Sequence, residues 1–75
     1  MTDVPDDPDS ARAKVRQLLL SGDNIIKNRD NPGRFVRARE RYAQAAELAA
    51  AAGLGPDVTT IIDLRIAQID SDSAT

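Results

Sequence analysis

The sequence predicts an all-α fold, a three-helix bundle in which an antiparallel helical hairpin is followed by a third helix. Apolar and small residues recur at alternating steps of three and four from Gly33 to Gly53, which is the period of an amphipathic helix. Turn-forming residues at 30–33 and 53–57 separate this central segment from its neighbours. The flanking segments, 11–28 and 56–70, also carry their apolar residues in arcs of helical spacing.

The length of the chain limits it to one small domain. Seventy-five residues lie near the lower limit for folding on a hydrophobic core alone. Aromatic residues make up only 3%, so we expect a thin aliphatic core of modest stability, to which a bound partner would add. We predict a disordered acidic leader over 1–9, the bundle over 10–70 and a disordered tail over 71–75.

The composition argues against catalysis and against cofactors. The chain has no Cys and no His, which removes disulfides, thiolate metal sites and the commonest general base. It also lacks a nucleophile–base pair and a phosphate-binding glycine loop, so we expect a protein that is not an enzyme and holds no cofactor or metal. The acidic leader, with Asp3, Asp6, Asp7 and Asp9, does not have the spacing of a calcium loop.

The cellular location is inferred from what the sequence lacks. No apolar run approaches the ~20 residues that span a bilayer, and no signal peptide follows Met1, so we expect a cytoplasmic protein without membrane contact. The excess of Arg over Lys and the abundant Ala are typical of a GC-rich bacterial genome.

The first helix is expected from about Ala11 to Asn28, with Asp9 or Ser10 as its N-cap. Gly22 lies at the centre of its apolar arc, where Gly costs ~1 kcal/mol relative to Ala. We expect close contact with the alanine-rich central helix to compensate; the alternative is a break at 21–23. Leu20 points away from this arc and is a weak candidate for a partner contact. The arc comprises Ala11, Val15, Leu18, Leu19, Gly22, Ile25 and Ile26.

The central helix is expected to start at Pro32, with Asn31 as its N-cap. Gly53 then suits the left-handed residue that ends a helix, and Leu54 the apolar residue that packs back in a Schellman motif. Tyr42 lies within the predicted buried stripe, so we interpret it as a core residue and not as a catalytic one. The stripe comprises Phe35, Ala38, Tyr42, Ala45, Ala49 and Ala52; a second row, Val36, Ala43 and Ala50, would let the helix lie between two neighbours.

The third helix is expected from Pro56 or Asp57 to about Asp70. One apolar flank, of Val58, Ile62, Ile66 and Ile69, faces the core. A second flank, Ile61 and Leu64, exceeds what so small a bundle covers, and we expect it outside as a contact for a partner or for a second copy. Arg65 falls between the flanks; its head reaches either water or an acceptor, for which Glu40 and Glu47 are the candidates.

Three arginines of the central helix form a second candidate surface. Arg34, Arg37 and Arg41, extended by Gln44 and Leu48, are predicted to lie on the face opposite the buried stripe. Three interpretations compete: a solvated face, a contact for an acidic protein partner, and a nucleic-acid contact. Nucleic acid is the least favoured, because the chain is acidic overall and both aromatic residues are predicted to be buried. The candidate partner-binding residues are Arg34, Arg37, Arg41, Leu48, Ile61 and Leu64.

The spacing Gly33-x-Phe35-x-x-Ala38-x-x-x-Tyr42-x-x-Ala45 resembles the second half of a tetratricopeptide repeat. The resemblance covers about 15–52. Its first half matches less well: Gly22 stands for the small residue of the repeat's first helix, but about one extra helical turn precedes Gly33.

A three-helix chain of this length also resembles microtubule-interacting-and-trafficking domains. Either resemblance implies binding of another protein. The repeat's clamp for peptide carboxylates is not implied, because the matching positions include Leu19 and Asp23.

We therefore expect a non-catalytic protein-interaction module or accessory subunit that binds another protein or forms a homodimer. The alternatives are a nucleic-acid-associated regulator that uses the arginine face and a purely structural homo-oligomeric bundle.

Overall fold

A computed structural model describes residues 8–73 as three helices: α1 (Pro8–Lys27), α2 (Arg34–Ala51) and α3 (Pro56–Ser73). Helix α1 packs against α2, and α2 packs against α3, whereas α1 and α3 make little direct contact. The described residues contain no strand. The all-α, three-helix prediction is thus confirmed. The expectations for residues 1–7 and 74–75 lie outside the described part of the chain.

Helix α1 begins earlier than its sequence suggests. It starts at Pro8, where a missing N–H is harmless because the first turn has free N–H groups, and Asp9 lies in the first turn, not before it. Residues 8 and 9, which were predicted to belong to the disordered leader, are therefore part of α1. The helix continues through Gly22, so the alternative of a break at 21–23 is wrong.

The turn before α2 also differs from the prediction. Pro32 and Gly33 form a turn, closed by a 3.2 Å hydrogen bond from the Arg34 amide to the Asn31 carbonyl, and α2 starts only at Arg34. The Asn31 side chain accepts a 3.0 Å hydrogen bond from the Gly33 amide. It therefore stabilises the turn and does not cap the helix, because its residue lies too far ahead of the first helical turn.

The end of α2 has the predicted Schellman geometry. Gly53 has a φ of 68°, in the left-handed region. Its amide donates to the Ala50 carbonyl (3.2 Å), and the Leu54 amide donates to the Ala49 carbonyl (2.9 Å). Leu54 packs against the core, as this motif requires.

The buried stripe of α2 forms the centre of the molecule. Its four inner residues, Ala38, Tyr42, Ala45 and Ala49, are buried. They contribute to two core clusters, one with Val15 and Ile62 and the other with Ile69. Thus α1 and α3 both contact the same stripe, which its small alanines allow.

The second row of α2 does not pack against a neighbour as predicted. Val36 is 66% exposed, Ala50 is exposed and Ala43 is half-buried. The row lies about a third of a turn away from the stripe on which both neighbouring helices converge.

Helix α3 buries the predicted flank. Ile62 and Ile69 are buried, and Val58 and Ile66 are half-buried against the clusters. The helix continues to Ser73, beyond the predicted end at Asp70. In its last turns the Gln68 amide donates a 3.0 Å hydrogen bond to Asp72, a pairing four residues apart that supports a helix end.

Candidate functional site

A groove of about 370 Å³ separates α1 from α3. It exists because both helices pack on the stripe of α2 and not on each other. Val15, Leu19 and Val58 form its apolar floor, and they are buried or half-buried. Leu20, 54% exposed, and Ile61, 44% exposed, lie at its two edges. Apolar side chains therefore form the floor of this groove and part of each edge.

A cluster of polar side chains joins the three helices beside the groove. The Tyr42 hydroxyl of α2 donates a hydrogen bond to Oδ1 of Asp23 in α1. The guanidinium of Arg65 in α3 donates to both carboxylate oxygens of Asp23, from Nε to Oδ1 and from Nη2 to Oδ2, each at 3.2 Å. This two-point geometry fixes the orientation of both groups. The cluster is thus a polar tie between α1 and α3.

The acceptor of Arg65 differs from the predicted ones. Glu40 and Glu47 were the candidates on α2, but both are exposed and lie away from the stripe that contacts α3. Asp23 reaches Arg65 because α1 and α3 lie on the same side of α2. The predicted acceptors were therefore wrong: the guanidinium binds Asp23, while the Arg65 side chain stays 37% exposed, so both alternatives hold in part.

Gly22 provides the space that the cluster requires. A Cβ atom at this position would lie 2.9 Å from Cδ1 and from Cζ of the Tyr42 ring, too close for real contacts. The predicted close approach of α1 to α2 is therefore confirmed, with Tyr42 as the contacting residue. Because the ring lies against Gly22, its hydroxyl can reach the carboxylate of the next residue, Asp23.

The pKa values of Asp23 and Tyr42 lie far from neutral pH, so the protonation states of the cluster do not change there. Burial acts to raise the pKa of Asp23, but the hydrogen bonds from Arg65 and Tyr42 and the charge of Arg65 together hold it below its ordinary value of 3.8. Burial, and then the hydrogen bond to the Asp23 carboxylate, raise the pKa of Tyr42. At neutral pH the cluster therefore consists of a carboxylate, a neutral phenol and a guanidinium, which is a suitable set for a structural tie.

Charged side chains lie along the rim of the groove. Arg12 of α1 and Asp57 of α3 form a 2.8 Å ion pair across one end, and this pairing lowers the pKa of Asp57. Arg65 is paired with Asp23. Arg16 also lines the groove, and it forms no ion pair with the residues that the structure describes. The rim thus offers one guanidinium that those residues do not match.

The predicted partner-binding residues do not form one surface. Arg37 and Arg41 are exposed on α2, and Arg34 is half-buried, with its guanidinium 4.8 Å from the centre of the Phe35 ring. Ile61 lines the groove, and Leu64, 65% exposed, lies beyond its edge on the outer side of α3.

Leu48 belongs to the core and not to an exposed arginine face. It is half-buried and packs against the cluster formed by Val15, Ala45, Ala49 and Ile62. At 3.6 residues per turn, the row of Arg34, Arg37 and Arg41 lies about a quarter of a turn from the buried stripe, so the predicted position opposite the stripe was wrong.

Sequence reasoning missed Arg16, Val58 and Leu19 as parts of one groove. A signal was present, because Arg12 and Arg16 lie one helical turn apart, as do Val15 and Leu19. The sequence did not show that α3 would lie opposite these residues.

Comparison of the chain with protein-family models, with curated proteins and with solved structures found no match. The resemblances to tetratricopeptide repeats and to microtubule-interacting-and-trafficking domains thus gain no support from relatives. Within residues 8–73, no group of acidic side chains is placed to hold a metal ion. Over the same residues, no helix combines the length and the apolar character needed to cross a bilayer.

Proposed function

We propose that this chain is a small, non-catalytic protein-interaction module or accessory subunit, working in the cytoplasm, that binds a segment of another protein between α1 and α3. The observation that carries the proposal is the apolar groove itself. Its floor is apolar, Leu20 and Ile61 extend the apolar surface to its edges, and charged side chains complete the rim; an apolar surface with a polar rim is typical of protein-binding sites. Leu20 and Ile61 are the exposed anchors.

The geometry favours a helical ligand. Helices α1 and α3 lie side by side on α2, so a fourth helix seated in the groove would complete a four-helix arrangement. Such a ligand would present apolar side chains to Val15, Leu19 and Val58. A carboxylate on the same helix would meet the guanidinium of Arg16. The expected partner segment is thus an amphipathic helix with acidic residues beside its apolar face.

Selection from a displayed library of random peptides tests the proposal and does not require the natural partner. Peptides are selected on the wild-type chain and then tested against Leu20→Glu and against Val36→Glu. Val36 is the matched control, because it is an exposed apolar residue on α2, outside the groove. We expect selected peptides to bind the Val36→Glu chain and to lose at least tenfold in affinity for Leu20→Glu, about 1.4 kcal/mol.

A further variant, Arg16→Glu, tests whether the partner segment carries acidic residues. Peptides selected on the wild type should weaken on Arg16→Glu and should carry Asp or Glu at helical spacing from their apolar residues. Peptides that bind all four chains equally would place the contact elsewhere and overturn the groove proposal.

Arg37 and Arg41 are the basis of the alternative, a nucleic-acid-associated regulator, because both guanidinium groups are exposed on α2. Nucleic-acid binding would retard DNA or RNA in low-salt electrophoresis and would weaken steeply as salt is added. An unchanged mobility at low salt removes this alternative.

A further inference from the structure

Residues 1–7, which precede α1 and lie outside the described part of the chain, are opposite in charge to the groove. They contain three carboxylates, Asp3, Asp6 and Asp7, and no basic side chain. Among the side chains that line the groove, three are guanidinium groups and one, Asp57, is a carboxylate. This charge complementarity favours contact between the two parts of the chain.

We propose that residues 1–7, the acidic segment, bind along the groove between α1 and α3 and compete there with the partner segment. The regulatory role of this contact rests on the proposed function, because the partner and the acidic segment use the same groove. A partner then binds only by displacing a segment of this chain.

The start of α1 places the acidic segment next to the groove. Helices α1 and α3 begin at the same end of the bundle, where Arg12 and Asp57 form their ion pair. Along the axis of α1, Arg12 lies about 6 Å and Leu20 about 18 Å beyond Pro8, at about 1.5 Å per residue. Seven residues span at most about 25 Å. The acidic segment is therefore long enough to extend along the groove from Arg12 to Leu20.

Two guanidinium groups of α1 can bind its carboxylates. Arg16 is exposed and forms no ion pair with the residues that the structure describes. Arg12 donates to Asp57 from Nη1, and its side chain stays 42% exposed, so its other N–H groups can bind a second carboxylate. Arg65 is already bound at two points by Asp23. We therefore assign the main charge contacts to Arg12 and Arg16.

The acidic segment also has an apolar residue for the floor of the groove. Val4 is four residues before Pro8, a distance of at most about 14 Å, and Val15 of the floor lies about 10 Å along α1 from the same residue. Carboxylates beside an apolar side chain are the chemistry that the groove requires of its partner. Weak contacts suffice within one chain, because a short tether gives an effective concentration of about a millimolar.

The exposed arginines of α2 are the competing destination for the acidic segment. Arg34 begins α2 beside the far end of the 20-residue α1, about 30 Å from Pro8 and beyond the reach of seven residues. Arg41 is closer to Pro8, so an experiment has to distinguish it from the groove.

Paramagnetic broadening of amide signals measures the contact directly. The natural chain has no cysteine, so Thr2→Cys provides a single attachment site for a nitroxide label. We expect the label to broaden the amide signals of Val58 and Ile61 at least twofold more than in a labelled control that is tethered in the same way but lacks the charges. This control, the Asn-segment chain, carries Asp3→Asn, Asp6→Asn and Asp7→Asn.

Two further variants locate the site on α1. Arg16→Gln should remove at least half of the excess broadening at Val58. Lys14→Gln is the matched control, since Lys14 is an exposed cation of the same helix that does not line the groove, and it should change the broadening little. Added salt should reduce the excess, because exposed charges are screened.

Three outcomes would overturn the proposal. One is equal broadening of Val58 and Ile61 with and without the three carboxylates. Another is an equal effect of Arg16→Gln and Lys14→Gln. The third is stronger broadening at Arg41 than at Val58, which would place the acidic segment on α2.

Peptide affinity separates this proposal from the groove proposal. A segment that occupies the groove half of the time halves the apparent affinity for a competing ligand. Peptides selected on the groove should therefore bind the Asn-segment chain at least twofold more tightly than the wild type. Equal affinity for both chains would overturn the competition and leave the groove proposal standing. If the library yields no groove peptide but the broadening depends on the carboxylates and on Arg16, the proposed function fails and the contact of the acidic segment is supported.

Discussion

Gly22 is the residue where local helix propensity and tertiary packing oppose each other. In an exposed helix, replacing Gly by Ala stabilises by ~1 kcal/mol. Here the added Cβ would meet the Tyr42 ring, with two ring atoms at 2.9 Å, and overpacking of this kind costs about 1–3 kcal/mol. We expect Gly22→Ala to lower the free energy of unfolding, by up to about 2 kcal/mol, in urea titrations.

Two matched variants separate the effect of helix propensity from the effect of packing against Tyr42. Ala13→Gly, at an exposed position of the same helix, should cost ~1 kcal/mol from propensity alone. Gly22→Ala made in a Tyr42→Leu chain should lose most of its penalty, because the ring is absent. A Gly22→Ala chain more stable than the wild type would show that α1 and α2 are less closely packed at this point.

The ionisation of Tyr42 makes the free energy of unfolding depend on pH in the alkaline range. Its raised pKa means that the folded chain keeps the phenol proton to higher pH than the unfolded chain does. The stabilisation is complete below about pH 10, the ordinary pKa of tyrosine, and is lost as pH rises from there through the folded pKa. We expect the free energy of unfolding of the wild type to fall above that pH more steeply than that of Tyr42→Phe.

The measurement is unambiguous because Tyr42 is the only tyrosine of the chain. Its phenolate absorbance should stay low until the protein unfolds, and urea titrations across the alkaline range give the free energies. A phenolate that titrates at its ordinary pKa in the folded protein would contradict the hydrogen-bonded, buried position.

The sequence predicted the burial of Tyr42 but not its polar partners. Helical spacing identifies which face of α2 is buried, and the structure confirms that face, from Ala38 through Tyr42 to Ala49. Spacing does not specify which residue of another helix lies opposite. The contact between Asp23 and Arg65 depends on how far α1 and α3 are shifted along α2, and that information is not contained in the pattern of any one helix.

At the scale of the element, the end of α2 depends on a backbone conformation and not on side-chain contacts. Gly53 has a φ of 68°, and a Cβ added there would meet nothing within 4 Å. The cost of Gly53→Ala is therefore conformational, about 1–2 kcal/mol. We expect this loss in thermal or urea unfolding, with Gly53→Asn losing less because Asn tolerates the left-handed region.

The opposite outcome has a clear meaning. If Gly53→Ala were as stable as the wild type, the left-handed backbone at this residue would impose no measurable cost on a side chain, which would contradict the prediction. Both variants should leave the spectrum of a helical protein unchanged, because the substitution lies outside α2.

Helix existence was predictable here, and helix boundaries were less so. Periodicity over many residues indicated all three helices, since each buries one stripe. The starts of α1 and α2 were wrong by a few residues, because several polar residues and prolines nearby could each serve as a start. The Gly53 end was predicted correctly because left-handed backbone strongly selects glycine.

At the scale of the whole molecule, the groove is a consequence of two helices that share one stripe. A sequence shows how much apolar surface each helix has, but not whether two neighbours take separate faces of a third. The row of Val36, Ala43 and Ala50 suggested separate faces, and the structure shows convergence. That convergence leaves Leu20 and Ile61 exposed across a groove, which could not be predicted from either helix alone.

The same architecture predicts an order of local stability. Helix α2 packs against both other helices, whereas α1 and α3 each pack mainly against α2. Either outer helix can open locally while α2 stays packed on the other, so the amides of α2 should exchange only when the whole chain unfolds. We expect hydrogen exchange to be slowest from Ala38 to Ala49 and faster in α1 and α3.

Removing the Asp23–Arg65 contact tests the cause of this order of hydrogen-exchange protection. Asp23→Asn removes the charge that binds Arg65, so α1 and α3 should lose more protection than α2 relative to the wild type. Arg39→Gln is the matched control, since it removes an exposed 3.1 Å pair with Asp70 between α2 and α3 and should change protection little. Equal protection in all three helices would mean instead that the bundle opens only as one unit, with neither outer helix able to detach first.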